Sequence, residues 1–208
     1  MKTTKQYIKD HALKLFNQSG FVNVRLQHIA DAAFISVGHL AYHFKNKDSI
    51  INELYDDLKN KQELMLNEYR VVPLFEDIHA YLIATFEQQQ KHIFFYTDTI
   101  EVLRAYPEIE IKHEQYIKWQ LSQLNLMLAF NASRGALISF SSKQQHQLAW
   151  QIRSITDMWQ YIKKVEGKKD LNMHLFLDDI WSIISPFFTD MGLREYQQLN
   201  HISLNITH

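Results

Sequence analysis

Apolar residues recur at three- and four-residue intervals along most of the chain, and this spacing predicts helices rather than strands. Over 5–18 the apolar stripe is Ile8, Ala12, Leu15 and Phe16, and Ser19-Gly20 closes the helix with a residue suited to its end. A shorter helix fits 26–33, with Ile29, Ala30 and Ala33 on one face and Gln27, His28 and Asp31 elsewhere. Phe34-Ile35 interrupts it. Ser36 is a suitable N-cap for a third helix reaching His43, and Asn46 for a fourth that starts at Lys47 and continues through Ile50, Leu54, Leu58 and Met65. Pro73 predicts a break after that long helix, because the residue before a proline is pushed away from helical backbone. Further helices fit 74–90, 93–105 and from Pro107 to about residue 130, the last with apolar residues on more than one face. Residues 131–142 read as a loop around Arg134-Gly135, and helices follow at 143–165 and 174–188. The polar end, LNHISLNITH, reads as a mobile tail. The expectation is an all-α chain of about nine helices.

Composition agrees with that pattern. Five glycines and three prolines in 208 residues are too few for the turns of a β protein, and 46% hydrophobic residues suffice for a core. With no cysteine there is no disulfide, thiolate nucleophile or cysteine-held zinc. MKTTKQ runs directly into amphipathic sequence instead of a signal peptide, and no apolar run approaches the roughly 20 residues that cross a bilayer. A cytoplasmic protein without a membrane partner is expected.

Charge alters the picture once it is divided along the chain. The total is only -1, but residues 1–47 hold seven basic residues against Asp10 and Asp31, a net of +5, which leaves -6 for the rest. A basic head on an acidic body suits a protein that places one end against phosphate. The domains expected are a small one at 1–47 and a larger one at 48–208, joined by the long helix over about 47–70.

The stretch ISVGHLAYHFKNK, residues 35–47, lies in the basic head. At about 100° per residue, Val37, Leu40, Ala41 and Phe44 fall on one side of a helix and Gly38, His39, Tyr42 and His43 on the other. Three short helices in 44 residues, the second and third closely joined, make a helix-turn-helix whose third helix enters the major groove of double-stranded DNA. Gly38 would allow close backbone approach, His39 would reach base edges or phosphate, and Tyr42, His43 and Lys47 would donate to phosphate oxygens. Two plainer readings stand beside this one. The polar residues are simply solvated, or His39 and His43, four apart, form half of a metal site whose third ligand is not evident nearby. Lys45 and Lys47 are either surface lysines or phosphate contacts at a helix start.

The run from Ile29 to Ile50, IADAAFISVGHLAYHFKNKDSI, resembles the DNA-binding signature of the TetR family of bacterial regulators. That pattern has Ile-Ala, Ala-Gly-Val-Ser, Gly-x-Leu-Tyr-Tyr-His-Phe and Lys-x-Lys. Ile29, Ala30, Ala33, Ser36, Gly38, Leu40, Tyr42, His43, Phe44, Lys45 and Lys47 match it. Phe34 stands where glycine is usual, Ala41 where the first tyrosine is usual, and Arg25 where threonine commonly begins the second helix. The resemblance implies a homodimer of helical subunits, with an amino-terminal DNA-binding domain and a carboxy-terminal domain that binds a small effector and dimerises through its last two long helices. Candidate DNA contacts are Arg25, Gln27, Ser36, Val37, Gly38, His39, Tyr42, His43, Lys45 and Lys47.

In the body most aromatics at helical spacing belong to core. Tyr96, Tyr116, Trp119, Met127 and Trp159 combine apolar bulk with, in several cases, a polar atom, and are the candidates for an apolar effector pocket. Leu148, Ile152, Ile155, Leu177, Ile180 and Ile184 are the candidates for dimerisation. The expected function is a repressor released from a palindromic operator by a small, largely apolar effector. The alternative is a nucleoid-associated or partner-controlled DNA binder without one. No cofactor is implied. An enzyme is disfavoured by the lack of a Gly-x-Ser-x-Gly, Walker, Gly-x-Gly-x-x-Gly or paired metal motif.

Overall fold

Local capping chemistry starts and stops the helices, and the computed structural model describes residues 3–69, 72–168 and 171–203 of them. Helix α1 (Thr4–Ser19) begins where Thr3 Oγ1 accepts from the Gln6 N–H at 3.2 Å and ends at Gly20, whose φ is +73°. Then come α2 (Leu26–Ala32), α3 (Val37–His43), α4 (Lys47–Tyr69), α5 (Phe75–Lys91), α6 (Ile93–Thr97) and α7 (Thr99–Ala105). Helices α8 (Pro107–Ser133), α9 (Ser142–Val165), α10 (Met173–Ile184), a 3₁₀ turn at Ser185–Phe187 and α11 (Asp190–Ser203) complete the order. No strand occurs among the described residues; Leu137 and Phe188 form an isolated bridge. The all-α class is as expected, with eleven helices among the described residues instead of about nine.

Two differences account for the extra helices. The segment 93–105 is broken at Asp98, where three adjacent polar side chains compete for backbone groups. Thr97 Oγ1 donates to the Ile93 carbonyl at 3.2 Å, Thr99 Oγ1 to the Phe95 carbonyl at 2.5 Å, and Asp98 Oδ2 accepts from the Phe21 N–H at 3.3 Å. The second difference is α11, which takes in residues 199–203 of the segment expected to be a mobile tail. Its period of apolar residues brings Leu199 into the core and Tyr196 against Trp181 and Phe188. The remaining tail residues, 204–208, lie outside those described.

The chain divides into two compact units, and the division differs from a cut at residue 47. The first unit is Met1–Lys61 with Gln89–Glu114. Its core joins Ile8, Phe16, Ile29, Leu40, Phe44 and Ile50 to Phe94, Phe95 and Val102, which is why α6 and α7 belong to it. The second unit is Gln62–Gln88 with Gln115–His208. Its core centres on aromatics: Trp159 meets Phe86 and Phe176 edge-on, and Trp181 packs on Phe75, Phe188 and Tyr196.

In the second unit Asn131, fully buried near the end of α8, donates through Nδ2 to the Pro73 and Met127 carbonyls, each at 2.8 Å. Its Oδ1 accepts from Arg134 Nε at 2.9 Å and Nη2 at 2.7 Å. Arg134 makes a two-pronged pair with Glu195 of α11 at 2.5 and 2.6 Å. The same helix approaches the 134–137 turn at Gly192, where a Cβ would lie 2.1 Å from the Ala136 carbonyl oxygen. Gly192→Ala is therefore expected to lower stability by roughly 2 kcal/mol, since α11 must move to admit one methyl group; urea unfolding checks this, with an unchanged midpoint as the contrary result.

Candidate nucleic-acid interface

Helix α2 ends in a turn that sets the direction of α3. The Ile35 N–H donates back to the Ala30 carbonyl at 3.0 Å and the Phe34 N–H to the Asp31 carbonyl at 3.1 Å, the paired bonds of a Schellman motif. Phe34 occupies its left-handed position, with φ +53°, which explains physically why glycine suits this place. A side chain there costs about 1–2 kcal/mol, and the ring, 88% exposed, recovers little of that through burial.

Ser36 then caps α3, its Oγ accepting from the His39 N–H at 3.0 Å. Leu40 and Phe44 are buried, whereas Val37 and Ala41, expected on the same side, are exposed. The anchored arc is narrower than the helical wheel implies, because only two large side chains reach the core. Gly38, His39, Tyr42 and, half-buried, His43 make up the other face. The Tyr42 ring, 84% exposed, meets His43 edge-on at 5.1 Å, and His43 lies 5.4 Å from His39. A Cβ on Gly38 would come no nearer to its surroundings than 3.9 Å, so the fold itself places no demand for glycine there. Among the described residues no group of three metal-ligating side chains forms.

Around α3 the candidate contacts differ in how far the fold has already engaged them. Arg25 and Gln27 are exposed at the start of α2; the Arg25 backbone N–H donates to His28 Nδ1 at 3.3 Å, and Gln27 Nε2 donates to Asp31 at 2.7 Å. Asn46 and Ser49 cap α4 reciprocally, at 3.0 and 3.4 Å. Lys45 is exposed. Lys47 is turned inward: its Nζ donates to the Phe21 carbonyl and sits 5.0 Å over the Phe21 ring and 5.8 Å over Phe16. Burial lowers its pKa, with Asp48 opposing the shift. The excess of positive charge is also reduced by residues beyond 47, since Lys5 pairs with Glu53 and Lys9 with Asp57 at 2.6 Å. Among the other described residues of 1–47, Lys14, Arg25 and Lys45 are exposed cations, and Lys2 lies outside the described residues.

The second unit contains a largely apolar cavity of about 30 Å³ lined by residues of α5, α8, α9 and α10. Of the pocket candidates Met127 lines it and the other four do not. Tyr96 lies in the core of the first unit, Tyr116 is buried beside Trp119, and Trp159 is buried with its Nε1 donating to Asp179 at 2.8 Å. Most large aromatics filled core, and the apolar part of the cavity lining is mainly Leu, Ile and Met. Ile152, Ile180 and Ile184, read as dimer residues, also line it, while Leu148 and Leu177 are buried. Of that set Ile155 reaches the surface. Four polar neighbours, Tyr81, Gln120, Arg153 and Thr156, had no motif to reveal them; burial raises the pKa of Tyr81, and Arg153 is paired with Asp157. Burial raises the Asp157 pKa against the lowering effect of Arg153.

The profile of "Bacterial regulatory proteins, tetR family" matches residues 8–54, and that of a TetR "Bacterial transcriptional repressor" domain matches 58–196. The chain is 40% identical over 53 residues to the HTH-type transcriptional regulator AcrR of Shigella flexneri. That match spans 26% of this chain and only 25% of the relative. A TetR-family transcriptional regulator from Marinobacter aquaeolei VT8 superposes with a TM-score of 0.84 at 23% identity, over 95% of this chain and 97% of that one. The ketosteroid transcriptional regulator KstR2 of Mycobacterium tuberculosis gives a TM-score of 0.72 at 16% identity, over 91% and 97%. These solved structures bear on the fold alone, while the two profile matches together take in the capped α3 and most of the second unit. The chain therefore belongs to the TetR family and is a DNA-binding transcriptional regulator rather than an enzyme.

Proposed function

We propose that the protein is a homodimeric repressor that grips a palindromic operator with α3 of each subunit and releases it when a small, largely apolar effector enters the second unit. The observation that carries this reading is the face of α3: exposed His39 and Tyr42, with half-buried His43 between them, lie beside a glycine that the fold does not require. Such a face supports base-edge contact by His39, phosphate contact by Tyr42 and His43, and close backbone approach at Gly38. Arg25, Gln27, Ser36 and Lys45 would add contacts at its borders, whereas Lys47 would order the α1–α2 loop from within.

Dimerisation is supported by the outer side of α9. Trp150, Ile155, Met158, Tyr161 and Val165 recur there at helical spacing and are exposed, a larger apolar stripe than a surface helix normally leaves to water. Release would follow if the effector favoured a separation of the two α3 helices other than the ~34–36 Å of one DNA turn. A coupling of about 1–3 kcal/mol suffices. The cavity is far below the ~300 Å³ of ordinary ligand sites, so entry requires its side chains to move, and the flexible Met127 suits that. The same tightness favours, as second reading, a regulator answering to a protein partner or to none.

Purified protein is expected to bind one inverted repeat in the DNA upstream of its own gene, with affinity falling steeply as salt rises; equal weak binding to unrelated duplex refutes the operator reading. Within that assay His39→Ala should lower specific affinity by roughly 1–3 kcal/mol. Lys45→Met should weaken all DNA binding without changing unfolding, and Lys47→Met should instead lower stability by about 1 kcal/mol by removing the stronger of the two hydrogen bonds to the Phe21 carbonyl, which keeps only the Val24 N–H at 3.4 Å. Sedimentation should show a wild-type dimer and a Met158→Asp monomer; a wild-type monomer at micromolar concentration ends the dimer proposal.

A further inference from the structure

The cavity of the second unit combines an apolar lining with two polar atoms that the fold leaves unused. Leu124, Met127, Ile152 and Ile184 form much of its wall, and Gln120 and Arg153 share it. Gln120 is buried; its Nε2 donates to Tyr81 Oη at 3.4 Å, but its Oε1 has no hydrogen-bond partner among the described residues. Arg153 engages Asp157 through Nη2, while its buried Nε–H has no acceptor among the described residues. Buried polar atoms are normally satisfied, so an orphan acceptor and an orphan donor on one apolar cavity call for a group that supplies the opposite of each.

Charge narrows the chemistry. The Arg153 guanidinium is already balanced by the Asp157 carboxylate. A second carboxylate would lose its water without gaining an unpaired cation. A ketone or carboxylate has no hydrogen to offer Gln120 Oε1, and an ammonium cannot accept from Arg153 Nε. A hydroxyl or primary amide does both. Resting on the effector reading above, we infer that the effector is an uncharged amphiphile whose hydroxyl or primary-amide head pairs with Gln120 Oε1 and Arg153 Nε, with its apolar body among the leucine, isoleucine and methionine side chains.

The test is titration calorimetry of the full chain with 1-octanol, octanamide and octanoate. Both neutral probes should bind at least about tenfold more tightly than octanoate, and Gln120→Leu should reduce their affinity about tenfold. Arg153→Lys keeps a charge opposite Asp157 while deleting the Nε–H, and should give a similar loss should Gln120→Leu fail to fold. Octanoate binding equally or more tightly overturns the neutral head but leaves an apolar effector site standing. Neutral probes that bind both variants as well as wild type lie elsewhere and overturn the assignment. Failure of all three probes also overturns it, leaving these atoms to a bound water, while release from the operator by other compounds would still support the effector reading.

Discussion

Asn131 uses every hydrogen-bonding atom of a fully buried side chain, and the second unit is organised around that one amide. Its NH₂ group joins the turn before α5 to the last part of α8, and its oxygen orients Arg134. The guanidinium lies 5.6 Å over Phe75 and holds Glu195, so the start of α5, the loop after α8 and α11 share one network. The backbone carbonyl of Asn131 takes part as well, accepting from the Ala136 and Leu137 N–H groups at 2.9 and 3.1 Å. Such a network stabilises only when complete, because removing one member strands buried donors and acceptors. It also accounts for the close approach at Gly192, which lets α11 reach the loop that Arg134 anchors.

In the first unit a comparable part is played by charged groups turned inward. Asp98 receives the Phe21 N–H, and Lys47 closes on the Phe21 carbonyl, so both polar groups of one backbone residue are held by side chains far from it in sequence. The loop between α1 and α2 is thereby fixed, and with it the base on which α2 and the Schellman turn stand. Electrostatics that appear from composition to serve DNA are thus partly internal: Lys5, Lys9 and Lys47 have partners within the unit.

The legible parts of the fold were those governed by neighbours in sequence. Ser36, Asn46 and Gly20 are recognisable as caps because a cap acts on residues three or four positions away, and the bounds of α1, α3 and α4 follow from them. The break at Asp98 was hidden because its meaning depends on Phe21, 77 positions away. Asn131 read as loop for a similar reason, since nothing local distinguishes an amide that will be buried from one left in water. Of the five pocket candidates only Met127 lines the cavity, and size explains the others: a large aromatic at helical spacing is core in most settings, as Tyr96 and Trp159 are. Gln120 and Arg153 carry no motif, and only their unsatisfied atoms single them out.

The narrow footing of α3 has a consequence for how such a protein diversifies. Leu40 and the adjoining Phe44 attach the helix to the core, while Val37, Gly38, His39, Ala41 and Tyr42 are exposed. Exchanges at exposed positions generally alter stability by no more than about 0.5 kcal/mol. The exposed surface of α3 can accordingly be rewritten residue by residue at little cost to folding, while the scaffold keeps its two anchors.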